Sequence, residues 1–327
     1  MRIKREKIKR ILVISLSNIG DIILTTPVIN ALSAEFPDSR IDIMVGPRGK
    51  DIFKTDPRIT KVVVYDKHSP IMQKRRLSLK LRKLKYDMIA DLRNTIFPIL
   101  LGARYRTSTV QQFPKGLIHK KQRHLYRLKC LGIDRMDSPM SIFIPKQDSD
   151  HIDKLLSSHK VKEPIVLVSP GAKSHIKRWV EEGFSSLCTR LTEECNASVV
   201  FVGCDEDGAV IEKITRAMKG RFHNLVNMTN IQQLAELMKR SGLVITNDSA
   251  PLHLAGAVGA KVLAIFGPTD PKKYGPTGEM DVVINKKLFC SPCEKAACQY
   301  HLECMRSISS GEVFQAAKEM LEGYEVR

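Results

Sequence analysis

The sequence predicts an α/β protein made of two consecutive parallel-sheet units, and three observations carry that expectation. Short β-branched runs alternate with longer amphipathic stretches along the whole chain, the pattern of repeated strand, helix and strand units. The length, 327 residues, is about twice that of a common domain. The charge is divided rather than spread: residues 1–160 hold 33 Lys+Arg and 15 Asp+Glu, whereas residues 161–327 hold 20 of each, so the entire formal charge of +18 lies in the first part. Hydrophobic residues at 43% and charged residues at 27% match soluble globular proteins and exclude a disordered or fibrous chain.

In the first half the strands are expected at Arg10 to Ser15, Arg40 to Val45, Lys61 to Tyr65 and Tyr86 to Asp91, with helices such as Asp21 to Phe36 and Met72 to Leu84 between them. The scheme restarts with strands at Pro164 to Ser169, Ser198 to Gly203, Gly242 to Thr246 and Lys261 to Phe266. The polar stretch Lys146 to Glu163 reads as the connection between the units, and a last helix, Gly311 to Gly323, is capped by Ser309 or Ser310. The longest apolar stretches, such as Ile96 to Gly102, fall far short of the roughly 20 residues of a spanning helix. The basic N-terminus is followed by an apolar run that stops at Ser15, too short for a signal peptide, so a cytoplasmic protein is expected.

Ligands of open parallel sheets bind beyond the carboxyl ends of the strands, so chemistry is sought in those loops. The first strand runs into Ser15-Leu16-Ser17-Asn18-Ile19-Gly20-Asp21, which has neither a dinucleotide nor a P-loop glycine pattern. Asp21 reads either as a helix N-cap or as a general base at the strand end. In the second half, Ser169-Pro170-Gly171-Ala172-Lys173-Ser174-His175-Ile176-Lys177-Arg178-Trp179 places basic side chains on a Gly-containing loop. It is an anion site or a solvated charge run, with the single tryptophan as its anchor. Thr246-Asn247-Asp248-Ser249-Ala250-Pro251-Leu252-His253 takes a strand into a polar turn and a small-residue helix, a geometry suited to phosphate. Here His253 reads equally as a buried core histidine. Phe266-Gly267-Pro268-Thr269-Asp270-Pro271 adds a second polar turn at the same sheet edge.

Together, S-N-I-G-D before a T-x-P helix, P-G-A-x-x-x-x-K-R-W, T-N-D-S-A-P-x-H-L-A-G-A and F-G-P-T-D-P resemble glycosyltransferase family 9, the ADP-heptose:lipopolysaccharide heptosyltransferases, in the family's order and over nearly the whole chain. The resemblance implies a GT-B architecture, two Rossmann-like domains facing across a cleft. These would be an acceptor-binding domain at residues 1–160, a nucleotide-sugar-binding domain at 161–310, and a last helix, 311–327, returning to the first domain. It implies an inverting, metal-independent transfer of heptose from ADP-heptose to a lipid A–Kdo acceptor at the inner face of the cytoplasmic membrane, with no cofactor. Position by position, it assigns Asp21 as catalytic base and Lys177 as the lysine facing the diphosphate. Asp248 matches the donor-sugar contact, Ser249 and Ala250 the phosphate-binding turn, and Asp205 a ribose contact. Lys173, His253 and Thr269 complete the donor candidates, and Ser17, Asn18, Gly20, Arg75 and Arg76 those for the acceptor.

The charge asymmetry then fits a phosphorylated acceptor and an anionic membrane surface, with Lys67 to Lys85 as the candidate contact segment and Arg104, Arg106, Lys120, Lys121 and Arg123 as a second group. A nucleic-acid-binding protein is a rival supported by charge alone, and it lacks a recognition motif, so no nucleic acid is expected as a partner. An epimerase of similar shape, or a transferase with another nucleotide sugar, is the nearer alternative. Cys290, Cys293, Cys298 and Cys304 form a cluster that suits a tetrahedral metal chemically but matches no common metal spacing. Buried thiols or an adventitious disulfide are the other readings of it, and no metal is assigned.

Overall fold

Strands and helices alternate throughout the computed structural model, which describes residues 3–15, 18–108 and 110–322. It divides into two units, Met1–Phe143 and Ile144–Arg327. In the first unit β1 (Arg10–Ile14), β2 (Arg40–Val45), β3 (Ile59–Val64), β4 (Met88–Asp91) and β5 (Tyr105–Arg106) form one parallel sheet in the order β3-β2-β1-β4-β5. Its helices are α1 (Ile19–Ile23), α2 (Thr26–Glu35), α3 (Ile71–Arg82), α4 (Phe97–Leu101) and α5 (Lys120–Tyr126). The central strand β1 is apolar on both faces, as a strand covered by helices on both sides must be, and Ile11 to Ile14 are wholly buried.

The helix expected over Asp21 to Phe36 is split in two. Pro27 has no N–H to offer the carbonyl of Ile23, and the hydroxyls of Thr25 and Thr26 donate instead to Ile22 O at 2.6 Å and Ile23 O at 2.8 Å. The break between α1 and α2 therefore leaves neither of these two carbonyls unpaired.

In the second unit β6 (Ile165–Ser169), β7 (Ser198–Phe201), β8 (Phe222–Asn224), β9 (Leu243–Asn247), β10 (Val262–Phe266) and β11 (Val282–Asn285) form a parallel sheet in the order β11-β10-β9-β6-β7-β8. Around it lie α6 (Lys146–Ser158), α7 (Glu181–Cys195), α8 (Gly208–Ala217), α9 (Ile231–Arg240), α10 (Ala250–Ala257), α11 (Pro271–Tyr274), α12 (Glu303–Arg306) and α13 (Ser310–Glu322).

Two sequence expectations are corrected here. The polar stretch after Lys146 is no linker: it forms α6, which buries Ile152 and Leu155, packs on α9, and accepts hydrogen bonds at Asp148 Oδ1 from Asn230 (3.2 Å) and Gln233 (2.9 Å). The division accordingly falls after Phe143 instead of residue 160. The described part of the last helix, Ser310–Glu322, packs in the second unit. Val313, Phe314 and Ala317 of α13 enter the second unit's core with Trp179, Phe184 and Leu187, and the Trp179 indole donates to Ile308 O at 3.1 Å. Ser309 caps α13 through reciprocal bonds with Glu312, each 3.2 Å.

Candidate active site

In each sheet the chain steps outward from its first strand in both directions, which leaves a topological switch point between β1 and β4 in one unit and between β6 and β9 in the other. Most of the described candidate residues lie at or next to these two points.

In the first unit Asp21 stands at the third position of α1, in the first turn, and Asn18 is the N-cap residue. The capping reading of Asp21 is therefore set aside, although a carboxylate there still faces the positive end of the helix. Asn18 Nδ2 lies 3.4 Å from Asp21 Oδ2, and Gly20 is buried. Ser17 lies outside the described residues.

The loop after β4 supplies a residue that sequence reasoning missed. Asp91, at the end of that strand, accepts from the Arg93 N–H at 2.8 Å and from the Thr95 N–H and hydroxyl at 2.6 and 2.8 Å. This turn sets Arg93 so that its guanidinium lies 3.8 Å from Asp21. Helix α5 adds Lys120, whose pKa is lowered chiefly by burial; Asp21 opposes that shift, and Arg93, Arg123 and Arg127 reinforce it. Arg127 donates to Asn94 Oδ1 at 2.7 Å, and burial lowers its pKa too, opposed by Asp91.

Within the same group His124 is buried, and among the described residues neither ring nitrogen has a hydrogen-bond partner. Burial first, and then the charges of Lys120, Arg127, Arg93 and His119, push its pKa down to about 3, so the ring is neutral. Arg75 and Arg76 are placed elsewhere, on the exposed face of α3, and are not among the charges acting on Lys120. The result is two carboxylates, Asp21 and the loop-bound Asp91, within a larger set of cations, complementary to a hydroxyl-bearing substrate with anionic groups.

In the second unit Lys177 follows β6 and reaches Asp248, which follows β9, at 2.6 Å. Thr269, from the loop after β10, donates to the same Asp248 oxygen at 2.6 Å. Three neighbouring strands thus deliver three side chains to one point, and Asp248 is 6% exposed there. Asn247, whose role the sequence did not reveal, holds the loops together: it accepts from the Trp179 N–H at 3.1 Å and donates to Pro170 O at 2.7 Å. With the tryptophan anchored in the core, the loop carrying Lys173 and Lys177 is fixed at its far end.

Ser249 is the N-cap residue of α10, and Ala250 opens the helix, so the first-turn N–H groups lie beside Asp248. His253 is buried in that helix. Lys173 is exposed, and Asp205, after β7, is exposed and paired with Asn227.

The four clustered cysteines line one cavity of about 260 Å³, and Cys298 Sγ accepts from the Tyr300 and Leu302 N–H groups, each at 3.3 Å. They are free thiols, and among the described residues no three His, Cys, Asp or Glu side chains are arranged to hold a metal ion. Burial raises the pKa of Cys304, with the neighbouring cysteines adding to the shift.

The family model for glycosyltransferase family 9 (heptosyltransferase) matches residues 120–303. Lipooligosaccharide heptosyltransferase 2 of Campylobacter jejuni is 25% identical over 321 residues, covering 93% of this chain and 96% of its own. Among solved structures, a family 9 glycosyl transferase from Veillonella parvula superposes with a TM-score of 0.84 at 22% identity, over 97% of this chain and 98% of that one. The E. coli ADP-heptose lps heptosyltransferase II gives 0.78 at 21% identity, over 96% and 98%. Both likenesses are of fold.

Proposed function

The chain belongs to glycosyltransferase family 9, and from that premise we propose that it transfers a heptose from ADP-heptose to the inner core of lipopolysaccharide, without a metal and with inversion at the anomeric carbon. The observation that carries the reading is the convergence of Lys177, Asp248 and Thr269 at the switch point of the second sheet, beside the start of α10. Such a point offers a cation, backbone N–H groups and a sugar-binding carboxylate to a nucleotide diphosphate sugar. The names of the relatives, heptosyltransferases of lipooligosaccharide and lipopolysaccharide, support the choice of donor and acceptor.

In this mechanism the acceptor hydroxyl oxygen attacks the anomeric carbon from the side opposite the diphosphate. The new C–O bond forms as the bond from that carbon to the phosphate oxygen breaks, and the electron pair leaves with ADP. Asp21 takes the hydroxyl proton. Lys177 and the first-turn N–H groups of α10 meet the charge that develops on the leaving diphosphate, while Asp248 holds the sugar. Arg93, Lys120 and Arg127 supply the positive field for the phosphates and carboxylates of the acceptor. The acceptor is lipid-linked, so the enzyme works at the cytoplasmic face of the membrane. Among the described residues no helix is long and apolar enough to cross a membrane.

The test is release of ADP from ADP-heptose with and without a lipid A–Kdo acceptor, alongside a binding series with ADP, GDP and UDP. Acceptor-dependent release with preference for ADP is expected. Consumption of donor without acceptor would favour an epimerase, and preference for UDP or GDP would replace the donor.

A further inference from the structure

Helices α3 and α4 both follow crossovers toward the β5 edge of the first sheet, so the right-handed rule puts them on the same face, where they pack side by side. Their inner sides are apolar: Leu81 of α3 is buried with Phe97 and Leu101 of α4 in the core, Leu77 packs half-buried against them, and the Tyr65 ring lies edge-on to Phe97. Their outer sides are unusual. Met72 and Leu79, seven residues apart and so on one stripe, lie opposite Leu77 and Leu81 and are 59% and 52% exposed. Arg75, Arg76, Arg82 and Lys83 flank that stripe on the helical wheel, and α3 has no acidic residue. On α4, Ile99 and Leu100 are 61% and 46% exposed, and Ile96 just before it is exposed as well.

We propose that this outer face of α3 and α4 is a bilayer-docking surface, on which Met72, Leu79, Ile99 and Leu100 enter the boundary between headgroups and acyl chains of an anionic membrane while the cations around them bind lipid phosphates. Charge complementarity decides the occupant. From Lys67 to Lys85 there are eight Lys and Arg and no Asp or Glu, and the unit that carries them holds 30 Lys+Arg against 12 Asp+Glu. Exposed aliphatic side chains interleaved with cations do not form the continuous, charge-depleted centre that a protein partner requires. In a lipid interface each can insert by itself while its charged neighbours stay at the headgroups. The proposal rests on the reading that the acceptor is lipid-anchored, and it adds which surface meets the lipid and that apolar insertion supplements charge.

Vesicle co-sedimentation of the full chain, without donor or acceptor, tests it. The wild-type protein should bind phosphatidylethanolamine vesicles containing phosphatidylglycerol, and bind phosphatidylcholine vesicles weakly. The combined variant Met72→Ser, Leu79→Ser, Ile99→Ser, Leu100→Ser should lose about tenfold or more in affinity at low and high salt alike. The variant Lys80→Gln, Arg82→Gln, Lys83→Gln should lose affinity mainly at low salt, where unscreened charge contributes most. In Leu100→Trp the new indole should shift to shorter emission wavelengths on the anionic vesicles and be quenched by brominated acyl chains, against a constant background from buried Trp179.

Retained transfer by the serine variant to a water-soluble, delipidated acceptor shows that it is folded, and keeps failure of docking separate from failure of the transferase reading. Vesicle binding by the serine variant equal to wild type, an indole at position 100 that lipid does not quench, or loss of a stable dimer in the serine variant with vesicle binding unchanged would each overturn the proposal.

Discussion

Asp21 and Lys177 look alike in the sequence, each a charged residue in a loop beyond a strand, yet their surroundings predict different kinetic defects. Asp21 is held near Arg93 and Asn18 in the first unit, and Lys177 is bonded to Asp248 in the second. Asp21→Asn is expected to lower the turnover number by about 10²–10⁴-fold, the range for loss of a general base, while ADP binding measured by calorimetry stays within about twofold. Lys177→Ala should weaken ADP binding and turnover together. Wild-type turnover in the asparagine variant would remove Asp21 from proton transfer.

His124 gives the residue scale a stability prediction. Its folded pKa, about 3, lies below the ordinary value of 6.5, so the unfolded chain binds more protons between those limits. Its stabilising contribution is full above about pH 6.5 and declines as the pH falls toward 3, with a slope of at most about 1.4 kcal/mol per pH unit for one proton. Urea unfolding at pH 7 and pH 5 should show a larger acid loss for the wild type than for His124→Gln. Equal losses would mean that His124 is hydrated and protonated in the native state.

At the scale of elements, two turns at strand ends shape the loop that carries Lys177. Gly171, after β6, lies against the Asp207 carboxylate, which accepts from the Cys204 N–H at 3.1 Å and is thereby fixed over the loop. A Cβ at position 171 would collide with that carboxylate, so Gly171→Ala is expected to cost about 1–3 kcal/mol in chemical denaturation, the usual range for overpacking. Weaker ADP binding should accompany it, because the same loop carries Lys177. The glycine was visible in the sequence, but its reason was not: Asp207 belongs to the turn after the next strand, and only the parallel pairing of β6 and β7 brings the two together. The strands themselves were legible because a doubly covered parallel strand is a continuous apolar run. Three strands at sheet edges were missed: β5 and β8, two and three residues long with polar or basic members, and β11, four residues that are all only partly buried. Helix α6 was read as a connection because its apolar stripe is narrow, with Ile152 and Leu155 the buried positions of a largely charged segment.

For the whole molecule the charge division is the same at either cut, residue 160 or residue 143. The first unit carries the full +18, with 30 Lys+Arg and 12 Asp+Glu, and the second holds 23 of each. Long-range attraction of this kind is screened beyond about 10 Å at 0.1 M salt. The apparent KM for a phosphorylated acceptor is therefore expected to rise steeply as salt increases from about 0.05 to about 0.5 M. The KM for ADP-heptose should rise less, because the proposed function has the donor held by a few placed groups in the neutral unit. Initial rates at several salt concentrations check this, and equal salt slopes for both substrates would separate the basic unit from acceptor recognition.

By itself the sequence determined the α/β class, the two sheets and the loops in which the candidate residues lie, because strand hydrophobicity, turn residues and charge are local properties written in consecutive residues. The tertiary structure alone decided that Arg93 and Lys120 join Asp21, that Asp248 binds both Lys177 and Thr269, and that α13 belongs to the second unit. Those outcomes depend on which strands lie side by side and which helix faces find a core, contacts between residues tens of positions apart that no local pattern encodes.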